Sequence, residues 1–215
     1  MKRFVVSAVA LGAVVGFIAC LAAYSGEPAK PSDEFRQQFI KDFKHIGLDS
    51  TPGDAVLLRI LVSASKAKRG VEVGSARGFG AMNMGLAFER NGGQLTTIDI
   101  DPKMVEACRQ NLRTMGLEKT VTVVEGDALK VLGTLEGEFD FVFIDARKED
   151  YLKYFKALEK KLKVGAVVAA DNAIKSARAM QDFLDFMQTS PDWDTVIVRA
   201  SMEKGDGMAV CHKIR

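Results

Sequence analysis

Asp145, Asp171 and Asn172 are the residues whose types and spacing point most directly to chemistry. Asp145 closes the run Phe139-Asp140-Phe141-Val142-Phe143-Ile144, and Asp171-Asn172 close the run Val164-Gly165-Ala166-Val167-Val168-Ala169-Ala170. Both runs are apolar and rich in β-branched or aromatic residues, which is the pattern of buried strands. A helix-like stretch, roughly 150–163, separates them, so the order predicts a strand–helix–strand unit with parallel strands. In an open parallel sheet, ligands bind beyond the carboxyl ends of the strands. The three side chains are therefore expected to meet at one place. Two carboxylates and an amide carbonyl form a hard-oxygen set, which suits Mg²⁺ or Ca²⁺ better than Zn²⁺. The competing reading of the two aspartates, as helix caps, does not call for Asn172.

A second constellation lies upstream. Val71-Glu72-Val73-Gly74-Ser75-Ala76-Arg77-Gly78-Phe79-Gly80 reads as a strand, a tight glycine-rich turn and a helix start. Glycines let a backbone turn sharply and approach a ligand, and the following helix start offers unpaired N–H groups. Asp99 follows Gly74 by 25 residues at the end of the next strand-like run, where an acid can hold a ribose hydroxyl pair. A nicotinamide dinucleotide, a flavin and S-adenosylmethionine all remain compatible with this pattern. The dinucleotide fingerprint G-x-G-x-x-G is not met, because Ala76 replaces its second glycine and the third falls at position 80. Glu72 inside the motif also disfavours a pyrophosphate and favours a cationic ligand.

The elements that must position these residues alternate along the chain. Helices are expected over 32–46, 53–65, 79–90, 102–115, 128–135, 150–163 and 176–189, and strands over 70–73, 94–99, 121–124, 139–145, 164–170, 194–199 and 208–213. Alternation of this kind predicts an α/β doubly wound sheet with helices on both faces. The turn Gly205-Asp206-Gly207 before the last strand suggests an antiparallel finish. Asp101 is expected to cap the helix that Pro102 opens. Tyr151, Tyr154 and Phe155 are read as packing residues, and His45 and His212 as surface or packing residues remote from the motifs. Trp193 is read as packing, with the acceptor pocket as its alternative.

The chain has 215 residues, is 47% apolar and carries a formal charge of +2, which fits one globular domain plus an extension. Lys2 and Arg3 precede the first acid, Glu27, and supply the whole excess. The balanced remainder argues against a nucleic-acid partner. Cys20, Cys108 and Cys211 show neither metal-ligand nor disulfide spacing. Residues 4–24 are uncharged and long enough to span a bilayer as an apolar helix, or to serve as a signal segment. We divide the chain into an anchor or signal segment (1–25), a linker (26–32) and the folded domain (33–215). A basic flank kept in the cytoplasm would place the domain outside it; an anchor with its domain facing inward is the alternative.

From about Thr51 to Arg215 the chain resembles the cation-dependent O-methyltransferases, the family of catechol and caffeoyl-CoA O-methyltransferases. The likeness is carried by Val71 through Gly80, Thr97-Ile98-Asp99-Ile100-Asp101-Pro102, Glu125-Gly126-Asp127-Ala128, Phe139 through Tyr151, and Val164 through Asn172. The resemblance implies a Rossmann-like class I methyltransferase sheet of seven strands, the last antiparallel. It implies S-adenosylmethionine as donor, a divalent cation (Mg²⁺), and a small-molecule hydroxyl acceptor. Asp145, Asp171 and Asn172 fall on the family's metal ligands, and Lys148 on the lysine proposed there as general base. Glu72 and the turn bearing Gly74, Ser75, Gly78 and Gly80 fall on the methionine end of the donor site. Asp99 falls on the ribose acid, Asp127 on the adenine side, and Asp145 borders the donor as well. Asp206, in the closing Gly-Asp-Gly, is expected to face the acceptor. Arg147 stands where relatives carry an acid, and the short stretch between Asn172 and the helix near Ser176 implies a short lid. Family members are often homodimers. Against this enzyme reading stands a membrane-tethered protein that binds S-adenosylmethionine without turnover, since an exported domain would be separated from a cytosolic donor.

Overall fold

The computed structural model describes residues 30–201 and 204–215. The expected N-terminal apolar helix, Cys20 and most of the expected linker lie outside those residues. No helix among the described residues is long and apolar enough to cross a membrane.

Seven helices and seven strands appear among the described residues. The helices are α1 (Asp33–Lys41), α2 (Pro52–Ala64), α3 (Phe79–Asn91), α4 (Pro102–Thr114), α5 (Ala128–Thr134), α6 (Tyr151–Leu158) and α7 (Gln181–Thr189). The strands are β1 (Arg69–Val73), β2 (Gln94–Asp99), β3 (Val121–Glu125), β4 (Phe139–Ile144), β5 (Leu162–Ala170), β6 (Trp193–Val198) and β7 (Met208–Lys213). They form one sheet in the order β3-β2-β1-β4-β5-β7-β6. Only β7 runs against its neighbours, as the turn at Gly205 suggested.

Strand alternation divides the core. Val142 and Ile144 of β4 pack with α5, α6 and α7, whereas Phe141 and Phe143 face α2, α3 and α4. Side chains on both faces of the central strands are buried, which is why those strands read as nearly unbroken apolar runs. Chain order reverses between β1 and β4, and that is where an open sheet leaves a crevice. Register makes the crevice informative. Val73 is level with Ile98 and with Ile144, and Ile144 with Ala170. Gly74, Asp99, Asp145 and Asp171 are each the next residue, so four separate strands present them in one row.

Three expectations change in detail. The helix expected over 32–46 ends at Lys41. The chain beyond it is held against the glycine turn: Phe43 packs on Phe79 (4.9 Å between rings), and the Arg77 guanidinium bonds the Lys44 carbonyl and the Asp49 carboxylate. The helix expected over 150–163 is a short α6 with 3₁₀ turns at Lys148–Asp150 and Glu159–Lys161. The helix expected over 176–189 begins as a 3₁₀ turn, Ala177–Met180, and becomes α only at Gln181.

Candidate active site

The glycine turn owes its shape to close approach. Gly74 has φ of 94°, and a Cβ there would lie 2.1 Å from the Asp145 carbonyl oxygen. Gly74→Ala is therefore expected to cost about 2–4 kcal/mol in denaturant unfolding, because the end of β4 would have to move. Gly133, in α5 with open space around it, is the control: Gly133→Ala is expected to be neutral or slightly stabilising. Gly78 (φ 86°) starts α3 and leaves no room for a Cβ against the Cys108 sulfur, while Gly80 sits over Glu72 Oε1. Asp99 ties the turn together, since its Oδ2 accepts the backbone N–H groups of Ser75 (3.0 Å) and Ala76 (2.9 Å).

Glu72 lies beneath that turn, 1% exposed, and accepts a hydrogen bond from the Thr97 hydroxyl. Burial, reinforced by the nearby charges of Asp145 and Asp99, pushes its carboxyl up to about 8 against the pull of Thr97.

Beyond β4 and β5 the acids are paired. Lys148 Nζ lies 2.9 Å from Asp145 Oδ1 and 2.8 Å from the Tyr151 hydroxyl, which in turn donates to the Asp171 carbonyl (3.3 Å). Burial raises the Asp145 carboxyl above its ordinary range, with Lys148 acting in the opposite direction. Burial, with the charges of Asp145 and Asp171, keeps Tyr151 a neutral phenol by raising its pKa well above the usual tyrosine value. Asp171 is 1% exposed; its Oδ2 bonds Lys204, and its buried Oδ1 has no partner among the described residues. Lys204 Nζ also lies 3.7 Å from Asp54 Oδ2. Partial burial opposes the Lys204 ammonium, but Asp171, Asp145 and Asp54 outweigh it and raise its pKa. Burial and the nearby Asp171 and Asp206 raise Asp54, against Thr51 and Lys204.

Asn172 adopts φ of 66°, a left-handed conformation that asparagine tolerates better than most residues. Its amide nitrogen donates to Asp206 Oδ2 (3.0 Å), which turns the carbonyl oxygen away from that carboxylate. Asp206 Oδ1 accepts the N–H groups of Ile174, Lys175 and Gly207 at 3.1, 2.9 and 2.8 Å. Burial alone would raise Asp206, yet these donors bring it below the ordinary carboxylate range. The expectation that Asp206 faces the acceptor is thus corrected: it is a buried clamp that sets the Asn172 backbone and amide.

Two cavities meet over this row. The smaller, about 300 Å³, is lined by Gly74, Asp99, Asp127, Asp145 and Tyr154 among others. The larger, about 650 Å³, is lined by Asp145, Lys148, Asp171, Asn172 and Lys204, and by residues 45–52. Leu48, Asp145 and Ala146 belong to both linings. Of the expected donor residues, Gly74, Asp99, Asp127 and Asp145 line the smaller cavity. Glu72, Ser75, Gly78 and Gly80 line neither; they shape the turn from beneath. Asp127 and Asp101 also cap α5 and α4. Among the described residues no three His, Cys, Asp or Glu side chains form a cation-binding group. The set here is two carboxylates plus an amide oxygen, and the orphaned Asp171 Oδ1 fits the missing ligand of such a set.

Sequence reasoning missed four features. Tyr151 does pack on Phe183, but its hydroxyl also braces Lys148. Lys204 and Asp54 come from remote segments. His45 lies at the larger cavity, stacked edge-on against Phe79 at 4.4 Å. Trp193, read from the sequence as packing, does pack on Phe155 and lines neither cavity. Arg147 is exposed beside Glu149 and Asp150, at the rim of the smaller cavity.

A family profile described as O-methyltransferase matches residues 27–214. The chain is 30% identical over 136 residues to a catechol O-methyltransferase of Niastella koreensis, and the match spans 61% of each chain. It is 27% identical over 222 residues to caffeoyl-CoA O-methyltransferase 2 of Petunia hybrida, covering 94% of this chain and 90% of that one. Among solved structures, cofactor-bound Rv0187 from MTB is 27% identical with a TM-score of 0.74, over 96% of this chain and 99% of that one. An O-methyltransferase from Bacillus cereus in complex with SAH shares the fold, with a TM-score of 0.72 at 22% identity over 90% and 97% of the two chains.

Proposed function

The chain belongs to the O-methyltransferase family, and from that premise we propose that it transfers the methyl group of S-adenosylmethionine, with a divalent cation, to a hydroxyl of a small catechol-like or vicinal-diol acceptor. The observation that carries this reading is the shared wall. Asp145 and Ala146 line both cavities, so a donor in one and an acceptor in the other meet at that wall.

In the smaller cavity Asp99 and Asp127 are the acids for a nucleoside, and Gly74 lets the donor's backbone side approach β1. In the larger cavity Asp145, Asp171 and the Asn172 amide oxygen are the residues that would hold the cation. A bound Mg²⁺ would lower the pKa of an acceptor phenol, ordinarily about 10, and fix two neighbouring oxygens. Lys148, braced by Asp145 and Tyr151, is the side chain at the acceptor cavity that would take the hydroxyl proton, and it does so only as a neutral amine. Oxygen–carbon bond formation accompanies carbon–sulfur cleavage, and the sulfonium leaves as a neutral thioether. Residues 45–52 line the acceptor side of the larger cavity.

The test is a methyl-transfer assay on the purified chain. Catechols, aliphatic vicinal diols and monophenols are offered with Mg²⁺ or with excess chelator. Methylation confined to neighbouring hydroxyls and lost in chelator is expected. Full turnover in chelator would remove the cation from the reading. Tight S-adenosylhomocysteine binding with no acceptor methylated would favour a binding protein instead.

A further inference from the structure

Lys204 takes no part in the transfer just described, yet its ammonium lies inside the acid cluster. It comes from the turn between β6 and β7, bonds Asp171 Oδ2 and stands 3.7 Å from Asp54 Oδ2. Asp54, on the first turn of α2, is 3% exposed and is fixed by the Thr51 hydroxyl at 2.7 Å. A divalent ion drawing on Asp171 needs the carboxylate whose one edge Lys204 holds and whose other oxygen is unpartnered. An ammonium left in contact would repel that ion strongly in so enclosed a place. Asp54 offers the ammonium a second berth a short side-chain movement away.

We propose that Lys204 is a built-in monovalent counter-ion of this site, holding Asp171 until a divalent cation takes that carboxylate and then moving onto Asp54. Cation affinity in this chain is therefore set by an exchange rather than by entry into an empty acid pocket. This inference rests on the cation-dependent reading above.

Mn²⁺ is the probe, titrated calorimetrically into the full chain without donor. Lys204→Met is expected to tighten Mn²⁺ binding at least about tenfold, the scale of removing one like charge from a partly buried site. Lys204→Arg keeps the charge and is expected to stay within about threefold of the unchanged protein. Lys204→Gln serves as a second neutral variant, and S-adenosylhomocysteine affinity checks that each variant is folded. Equal or weaker Mn²⁺ binding in both neutral variants would overturn the exchange while leaving the cation site standing. Mn²⁺ binding that is absent throughout, or that survives Asp171→Ala unchanged, would overturn the site and the exchange together.

Discussion

Asp171→Ala is expected to lower turnover with a catechol acceptor by about 10²–10⁴-fold while leaving S-adenosylhomocysteine affinity within about threefold. The split follows from where the side chain lies. Asp171 lines the larger cavity and not the smaller one, so the nucleoside-sized pocket keeps its walls. Its backbone N–H still bonds the Ile144 carbonyl, so the end of β5 stays in register. What is lost is one of the two carboxylates of the hard-oxygen set. Asp145→Ala is the contrasting variant, since Asp145 borders both cavities and its loss is expected to weaken donor binding as well as turnover. Removing Asp171 also leaves the Lys204 ammonium with Asp54 as its remaining acid, at a stability cost of about 1–3 kcal/mol. Denaturant unfolding at one pH separates that cost from the catalytic loss. Donor affinity falling in step with turnover would show that Asp171 holds the whole cleft and not the acceptor side alone.

The row that makes this prediction possible was legible because it rests on strand ends. Apolar runs that stop at an acid mark both the element and its carboxyl end, and parallel register then aligns Gly74, Asp99, Asp145 and Asp171 without knowledge of any side-chain contact. Pro102 marked Asp101 as a cap, and the turn Gly205-Asp206-Gly207 marked β7 as antiparallel, as they are. What escaped were side-chain pairings that strand register does not set. Lys204 reaches Asp171 across 33 positions, and a lone lysine in a polar turn carries no periodic signal. Asp206 was visible as part of Gly205-Asp206-Gly207, but its role depends on N–H groups of residues 174 and 175 that a tight turn brings to it. Segment 42–46 read as helix because Phe35, Phe39, Phe43 and Ile46 have helical spacing. Only the first two are in α1, where their rings stack, while Phe43 is drawn instead to Phe79.

Glu72→Gln is expected to remove a large part of the loss of stability between about pH 4.5 and 8. In the folded protein the Glu72 carboxyl titrates near 8, against 4.5 for an unburied glutamate, because burial penalises its charge. Below about pH 4.5 both folded and unfolded chains carry the proton, and this group does not oppose folding. Between about 4.5 and 8 the unfolded chain gives the proton up while the folded chain keeps it. Stability is therefore lost progressively as pH rises through that window, by a total on the order of a few kcal/mol. Glutamine has the shape of the protonated acid, can still accept from Thr97, and has no proton to lose. The Glu72→Gln variant is accordingly expected to match the unchanged protein near pH 5 and to exceed it by a few kcal/mol near pH 9, as read from urea unfolding at both values. Donor binding supplies an independent check. The cationic sulfonium of S-adenosylmethionine favours an ionised Glu72, so its affinity should rise from pH 6 to pH 8.5 more than that of the neutral S-adenosylhomocysteine, and Glu72→Gln should remove the difference. Parallel stability profiles for the two proteins would mean that Glu72 is already ionised in the folded state, with Thr97 and the surrounding turn solvating its charge.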